Sequence, residues 1–210
     1  MKTRNFLLVS ICVFSFVFFS CSKPGDSKVS HAVSAYGEQN YDKALELFNE
    51  ALNEETSYSD ELIYNFIGNV YLAKDEGEKA AEYFEKALRN KPDYFGLVRL
   101  GSVYYNLENA ENARKTFERA IELNPDKAEA YASLGILFMS QNKIQDAVTS
   151  LEKAESIEKQ LAVVPANLAV CWSILKDRAK AEEALARAEK LKCENLDEYR
   201  ARVMENFANE

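Results

Sequence analysis

The chain has 210 residues, 29% of them charged and seven of them glycine, with 34 acidic against 26 basic side chains. A net charge of −8 excludes an ordinary nucleic-acid binder, because a phosphate backbone demands basic patches. So much charge with so little glycine suits long helices more than sheets, and no linker or low-complexity tract divides the chain into separate domains.

The chain begins "MKTRNFLLVSICVFSFVFFSCSKPGDSK". Lys2 and Arg4 precede an apolar run from Phe6 to Phe19, 14 residues long, which is short of the ~20 that a spanning helix needs. Residues 1–20 therefore read as a secretory signal. The Ser20-Cys21 pair that ends the run resembles a bacterial lipobox, with Phe18 standing where leucine is usual. That resemblance implies lipid on Cys21, a tether over 21–27, and export to a bacterial membrane. In a cell with two membranes, Ser22 after the cysteine resembles the outer-membrane-directed form. Ordinary cleavage and an uncleaved anchor are the alternatives. Losing Lys2 and Arg4 with the leader takes the net charge from −8 to −10, so attachment would come from acyl chains, not from charge.

A repeat follows. "FEKALRNKPD" (84–93) and "FERAIELNPD" (117–126) lie 33 positions apart. The underlying pattern is alanine, then a large apolar residue four on, then alanine three on. It occurs as Ala44, Phe48, Ala51; Ala80, Phe84, Ala87; Ala113, Phe117, Ala120; Ala147, Leu151, Ala154; and Ala181, Leu185, Ala188. Twelve residues before each leading alanine stands a small residue: Ala32, Gly68, Gly101, Gly135, Ala169. Three further on a large one usually follows (Tyr71, Tyr104, Phe138, Trp172), and Ala35 departs.

Steps of three and four place these residues on one stripe of a helix. Each unit thus holds two helices, with the small residues where they cross. Neither stripe can be buried alone, so units must stack. Pro92 and Pro125 stop second helices, Asp126 with Glu129 reads as an N-terminal cap, and Pro165 fits the first turn of a helix. In the first unit Lys28 and His31 replace large apolar residues and "GEQNY" looks one residue too long, so that unit is expected to be irregular. After the fifth unit, Asn195 with Glu198 reads as a capping box. Leu196, Tyr199, Val203 and Phe207 make an amphipathic stripe over 196–207, the end helix that a solenoid needs.

These units resemble the tetratricopeptide repeat. The resemblance, strongest over 64–93 and 97–126, implies an all-α, right-handed superhelical solenoid of five helix–turn–helix repeats over 28–195, with a capping helix and tail over 196–210. It says little about function, because such repeats serve many partners.

Chemistry is scarce. His31 is the single histidine and reads as a partly buried packing residue. No Ser/His or Cys/His pairing, metal-ligand spacing or glycine-rich phosphate loop is present, so no catalytic residue, cofactor or metal is expected. Cys12 leaves with the leader, and Cys171 and Cys193 are either small core residues or a bridge.

In stacked pairs the first helices line the concave surface. Their residues off the packing stripe are Val29, Val33 and Tyr36; Asn65, Asn69 and Leu72; Val98, Ser102 and Tyr105; Ala132, Ile136 and Met139; and Ala166, Val170 and Ser173. Tyr36, Leu72, Val98, Tyr105, Ile136, Met139 and Val170 are expected to form one contact strip beside Ser102, with Asn65 and Asn69 holding a partner's backbone. The alternative is cover by the chain's own end segment. The lysines that grip acidic tails in peptide-binding members are missing. The expected partner is an apolar or amphipathic segment of another envelope protein, with the chain as a non-enzymatic adaptor. Carriage of a small apolar ligand and self-association into an oligomer are the other readings.

Overall fold

The computed structural model describes residues 23–208; the apolar leader and Cys21 lie outside them. Among the described residues there are eleven helices and no strand. They are α1 (Pro24–Gly37), α2 (Tyr41–Ala51), α3 (Asp60–Ala73), α4 (Gly77–Leu88), α5 (Tyr94–Asn106), α6 (Ala110–Leu123), α7 (Ala128–Ser140), α8 (Ile144–Ile157), α9 (Val163–Ile174), α10 (Arg178–Lys190) and α11 (Leu196–Ala208). Five pairs, α1/α2 through α9/α10, stack in file, each first helix meeting its own partner and the second helix of the unit before it. The last helix, α11, lies across α9 and α10.

The alanine–large–alanine signature is the core. Ala44, Phe48 and Ala51, with their counterparts in the second, third and fourth units, are no more than 2% exposed. Burying each phenylalanine there contributes about 1.5–3 kcal/mol. In the fifth unit Leu185 is only half-buried, because no sixth pair stacks on it. The crossing residues must be small. A Cβ on Gly101 would stand 2.5 Å from Cε1 of Phe117, and one on Gly135 would stand 2.6 Å from Cγ of Leu151.

The turn inside each unit has one geometry. Gln39, Asp75, Glu108, Asn142 and Lys176 all adopt positive φ, between 56° and 63°, at the left-handed position that ends a helix. The next residue then donates its N–H back across the turn: Asn40 to Ala35, Glu76 to Tyr71, Asn109 to Tyr104, Lys143 to Phe138, Asp177 to Trp172, at 2.8–2.9 Å. In three units that donor also caps the following helix, Asn40 accepting from Lys43 N–H, Asn109 from Asn112 N–H and Asp177 from Lys180 N–H.

Several expectations need correction. The first unit is a regular pair, and "GEQNY" spans a turn of the same length as the others. The extra residues lie in the α2–α3 loop instead. The expected tether is partly helix, since α1 begins at Pro24. Asp26 fastens it: its carboxylate accepts from the Lys23 N–H, the Thr56 hydroxyl at 2.9 Å, and the Ser57 N–H at 2.6 Å and hydroxyl. These bonds, led by the Ser57 N–H, hold its pKa down at about 2. Lys28 is not misplaced: it pairs with Glu50 and Glu54. His31 is exposed rather than packed.

Two expected caps are not made. At α7 the N-cap is Lys127, not Asp126, and the open turn is closed from outside. Tyr94 Oη accepts from the Ala130 N–H at 2.9 Å and donates to Glu129 at 3.1 Å. At α11, Asn195 sits at φ 55° and engages the first turn through its carbonyl, which accepts from the Glu198 N–H. The stripe itself holds: Val203 and Phe207 are 1% and 7% exposed. Cys171 and Cys193 are free thiols, and burial pushes Cys171 up to about 12.

Candidate functional site

Exposed apolar side chains are not spread evenly. Val33 and Tyr36 on α1, Leu62 and Leu72 on α3, Phe95 on α5, and Val163 and Ile174 on α9 all stand on first helices, 37–53% exposed. On the second helices only Leu123 is comparable among the described residues. This asymmetry follows from the pairing. A second helix buries its stripe between two first helices and turns charge outward, whereas the positions of a first helix off that stripe face neither neighbour. Exposed apolar side chains gathered on one set of helices mark a contact site more often than chance exposure does.

The expected strip is only partly assembled. Tyr36 and Leu72 are exposed, and Asn65, Asn69, Val98, Ser102, Tyr105, Ile136 and Met139 are half-buried. Val170 is a correction. It is 1% exposed, as Ala166 and Ser173 also are buried, because α11 covers the inner face of α9. Asn206 of α11 donates to the Ser173 hydroxyl at 2.8 Å, and Lys176 donates to the Asn206 carbonyl at 2.6 Å. The chain's own end segment thus fills the last unit. Val29 is also core, at 1%. Nor is the surface continuous: α1 approaches α3, and α5 approaches α7, but no Cα of α3 comes within 8 Å of α5.

Several chosen side chains are already engaged. The Asn65 amide donates to the Glu61 carbonyl at 3.0 Å and the Ser102 hydroxyl to the Val98 carbonyl at 3.0 Å. Val98, Tyr105 and Met139 pack on buried clusters, so each is part core and part surface. The Asn69 side chain has no hydrogen-bond partner among the described residues, and its amide is available to a peptide group.

Two features escaped the sequence reading. Leu62 and Phe95 lie three residues before Asn65 and Val98, on the same helical stripe, and extending the spacing one step back would have found them. The other is a hollow of about 550 Å³ beside Tyr105, lined also by Asn106, Leu137, Ser140 and Gln141. Gln141 Oε1 is buried there with no hydrogen-bond donor among the described residues, an arrangement that costs about 1–3 kcal/mol. Nothing in the sequence marks Gln141.

Charge borders the surface at two points: the Lys127 ammonium lies 3.8 Å over the Phe95 ring, and Glu108 lines the hollow beside Tyr105. Among the described residues no group of three or more His, Cys, Asp or Glu could hold a metal ion, and no helix is long and apolar enough to cross a membrane.

Comparison with known proteins agrees with this architecture. Models described as tetratricopeptide repeat match residues 29–95 and 128–161, and one described as TPR repeat matches 101–142. No curated protein sequence matches the chain. Among solved structures, the chain is similar to YrrB, described as a TPR protein with an unusual peptide-binding site. Identity is 25%, 80% of this chain and 87% of that one are covered, and the TM-score is 0.63. It is similar to MamA from Desulfovibrio magneticus RS-1 at 16% identity, covering 81% and 96%, TM-score 0.69. For BtubC from P. vanneervenii the identity is 24%, the cover 77% and 76%, and the TM-score 0.67. The chain carries tetratricopeptide repeats, and its described part is a tetratricopeptide-repeat solenoid.

Proposed function

We propose that this protein is a non-enzymatic scaffold that holds an apolar or amphipathic segment of another envelope protein against its first helices. The observation that carries this reading is the exposed apolar surface of α1, α3 and α5, with Tyr36, Leu72 and Phe95 on it. The Asn69 amide supplies a polar group that a partner's backbone would complete. The peptide-binding site in the description of YrrB supports a peptide over a small molecule. The missing lysines argue against an acidic tail as the occupant of this face. Cover of α9 by α11 takes Ala166, Val170 and Ser173 out of the free surface, leaving Val163 and Ile174 at its ends.

The address is part of the proposal. The chain is exported and held at a bacterial membrane by lipid on Cys21, with α1 starting three residues after that cysteine and so close to the bilayer. Replacing Cys21 with alanine should abolish labelling by a radioactive fatty acid and release the protein from the membrane fraction. Persistent labelling of that variant would overturn the assignment.

The groove is tested with a photo-cross-linking amino acid at position 95 in intact cells. A discrete adduct should form, and Tyr36→Ser with Leu72→Ser should remove it while the thermal transition shifts little. These two side chains are suited to the test because both are exposed, whereas Tyr105→Ser would also disturb the core. Adducts formed only from probes on second helices, for example at Glu122, would move the contact to the outer face and end this reading.

A further inference from the structure

A second feature lies on the outer side. Between α4 and α6, which make no direct backbone approach, is a cleft of about 380 Å³, within the ~300–1,000 Å³ range of small-ligand sites. Leu88 of α4 and its C-cap residue Arg89, Leu100 and Tyr104 of α5, and Lys115, Thr116 and Arg119 of α6 line it.

Internal repetition shows what is unusual here. The residue before the last alanine of the signature is basic in four units: Lys86, Arg119, Lys153 and Arg187. Three of these are occupied. Lys86 pairs with Glu82 at 2.7 Å, Lys153 lies over the Tyr131 ring, and Arg187 is held by Glu155 at 3.0 Å and Glu183 at 2.9 Å. Arg119 occupies the place of Arg187 with both acidic partners replaced. Where Glu155 would stand there is Leu88, and where Glu183 would stand there is Lys115, itself bound to Glu111.

Neither the Arg119 nor the Arg89 guanidinium has an ion-pair or hydrogen-bond partner among the described residues. Thr116 points the same way. It is 5% exposed, lines the cleft, and its hydroxyl has no hydrogen-bond partner among the described residues. A hydroxyl and two guanidinium groups, none with a side-chain partner among the described residues, together offer donors to an oxyanion. The carboxylate in the wall, Glu85, is taken by the Tyr104 hydroxyl.

The geometry points to this cleft as a second binding site, independent of the groove, for the terminal carboxylate of a partner chain whose last residue is apolar. The planar guanidinium fork matches a carboxylate in two bonds. Leu88 and Leu100 offer the adjoining side chain an apolar wall, a feature that a bare phosphate would not use.

The test uses the full-length chain and N-acetyl-leucine as probe, followed by saturation-transfer NMR at millimolar concentration, with N-acetyl-leucinamide and inorganic phosphate alongside. N-acetyl-leucine should bind saturably, and the uncharged amide at least tenfold more weakly. Arg119→Gln should weaken the acid tenfold or more. Thr116→Val should weaken it about threefold by removing one hydroxyl. Lys115→Glu, an exposed change that gives Arg119 the internal partner Arg187 has, should close the site without loss of helix by circular dichroism. Equal binding of acid and amide, undiminished binding by a folded Lys115→Glu, or binding of phosphate with none of N-acetyl-leucine would each overturn the proposal.

Discussion

Gly101→Ala isolates the reason for the small residue at each helix crossing. In an exposed helix this exchange stabilises by about 1 kcal/mol, because glycine is the more flexible in the unfolded chain. Here the new methyl would stand 2.5 Å from Cε1, 2.6 Å from Cδ1 and 3.0 Å from Cζ of Phe117. That ring is 1% exposed and cannot swing into solvent, so α5 and α6 must separate or the ring must leave its rotamer. Overpacking of this kind costs about 1–3 kcal/mol. Set against the propensity gain, the expected net loss is roughly 0–2 kcal/mol. The chain suggests its own rescue, since the fifth unit sets Ala169 against Leu185. Phe117→Leu alone should destabilise by leaving a space, and the double variant should recover part of both losses. A urea-denaturation double-mutant cycle measures the coupling, expected to be favourable by about 1 kcal/mol. A Gly101→Ala variant more stable than the parent by the full ~1 kcal/mol of the propensity gain, or an additive cycle, would show that helix approach does not require the glycine.

Further tests follow from the corrected features. Tyr94→Phe removes the hydroxyl that closes the first turn of α7 and should cost about 1 kcal/mol, read by denaturation, with faster amide exchange at Ala130. Burial raises the Tyr94 hydroxyl to about 12 from an ordinary value near 10, so its contribution should persist below pH 10 and be lost as pH rises towards 12. Asp26 runs the other way. Its lowered pKa gives support that is complete above pH 4 and lost as pH falls towards 2, so the Ser57 amide shift should titrate near 2 and Asp26→Asn should loosen the start of α1. Glu108→Gly should stabilise by about 0.5–1 kcal/mol, because a non-glycine residue at φ 56° carries left-handed strain. An unchanged melting temperature would count against that reading.

The sequence by itself determined the repeat, the helix pairs, the crossing residues and the end helix. Each depends on spacing along one helix or on volume at a fixed step, and both are written in the order of the residues. Ala113, Phe117 and Ala120 could be assigned to the core without coordinates, since no other arrangement buries that stripe. The tertiary structure decided the rest, wherever a group's state depends on a residue about 30 positions away. Asp26 anchors α1 because the α2–α3 loop brings Thr56 and Ser57 to it. Tyr94 caps α7 from the preceding unit. Val170 has the register of a surface residue, yet α11 folds back over it. Arg119 and Arg187 occupy the same step of their units, and only the neighbouring helix decides which guanidinium is neutralised. Periodicity fixes the direction in which a side chain leaves its helix; what it meets there is set by the packing of helices that the local sequence does not record.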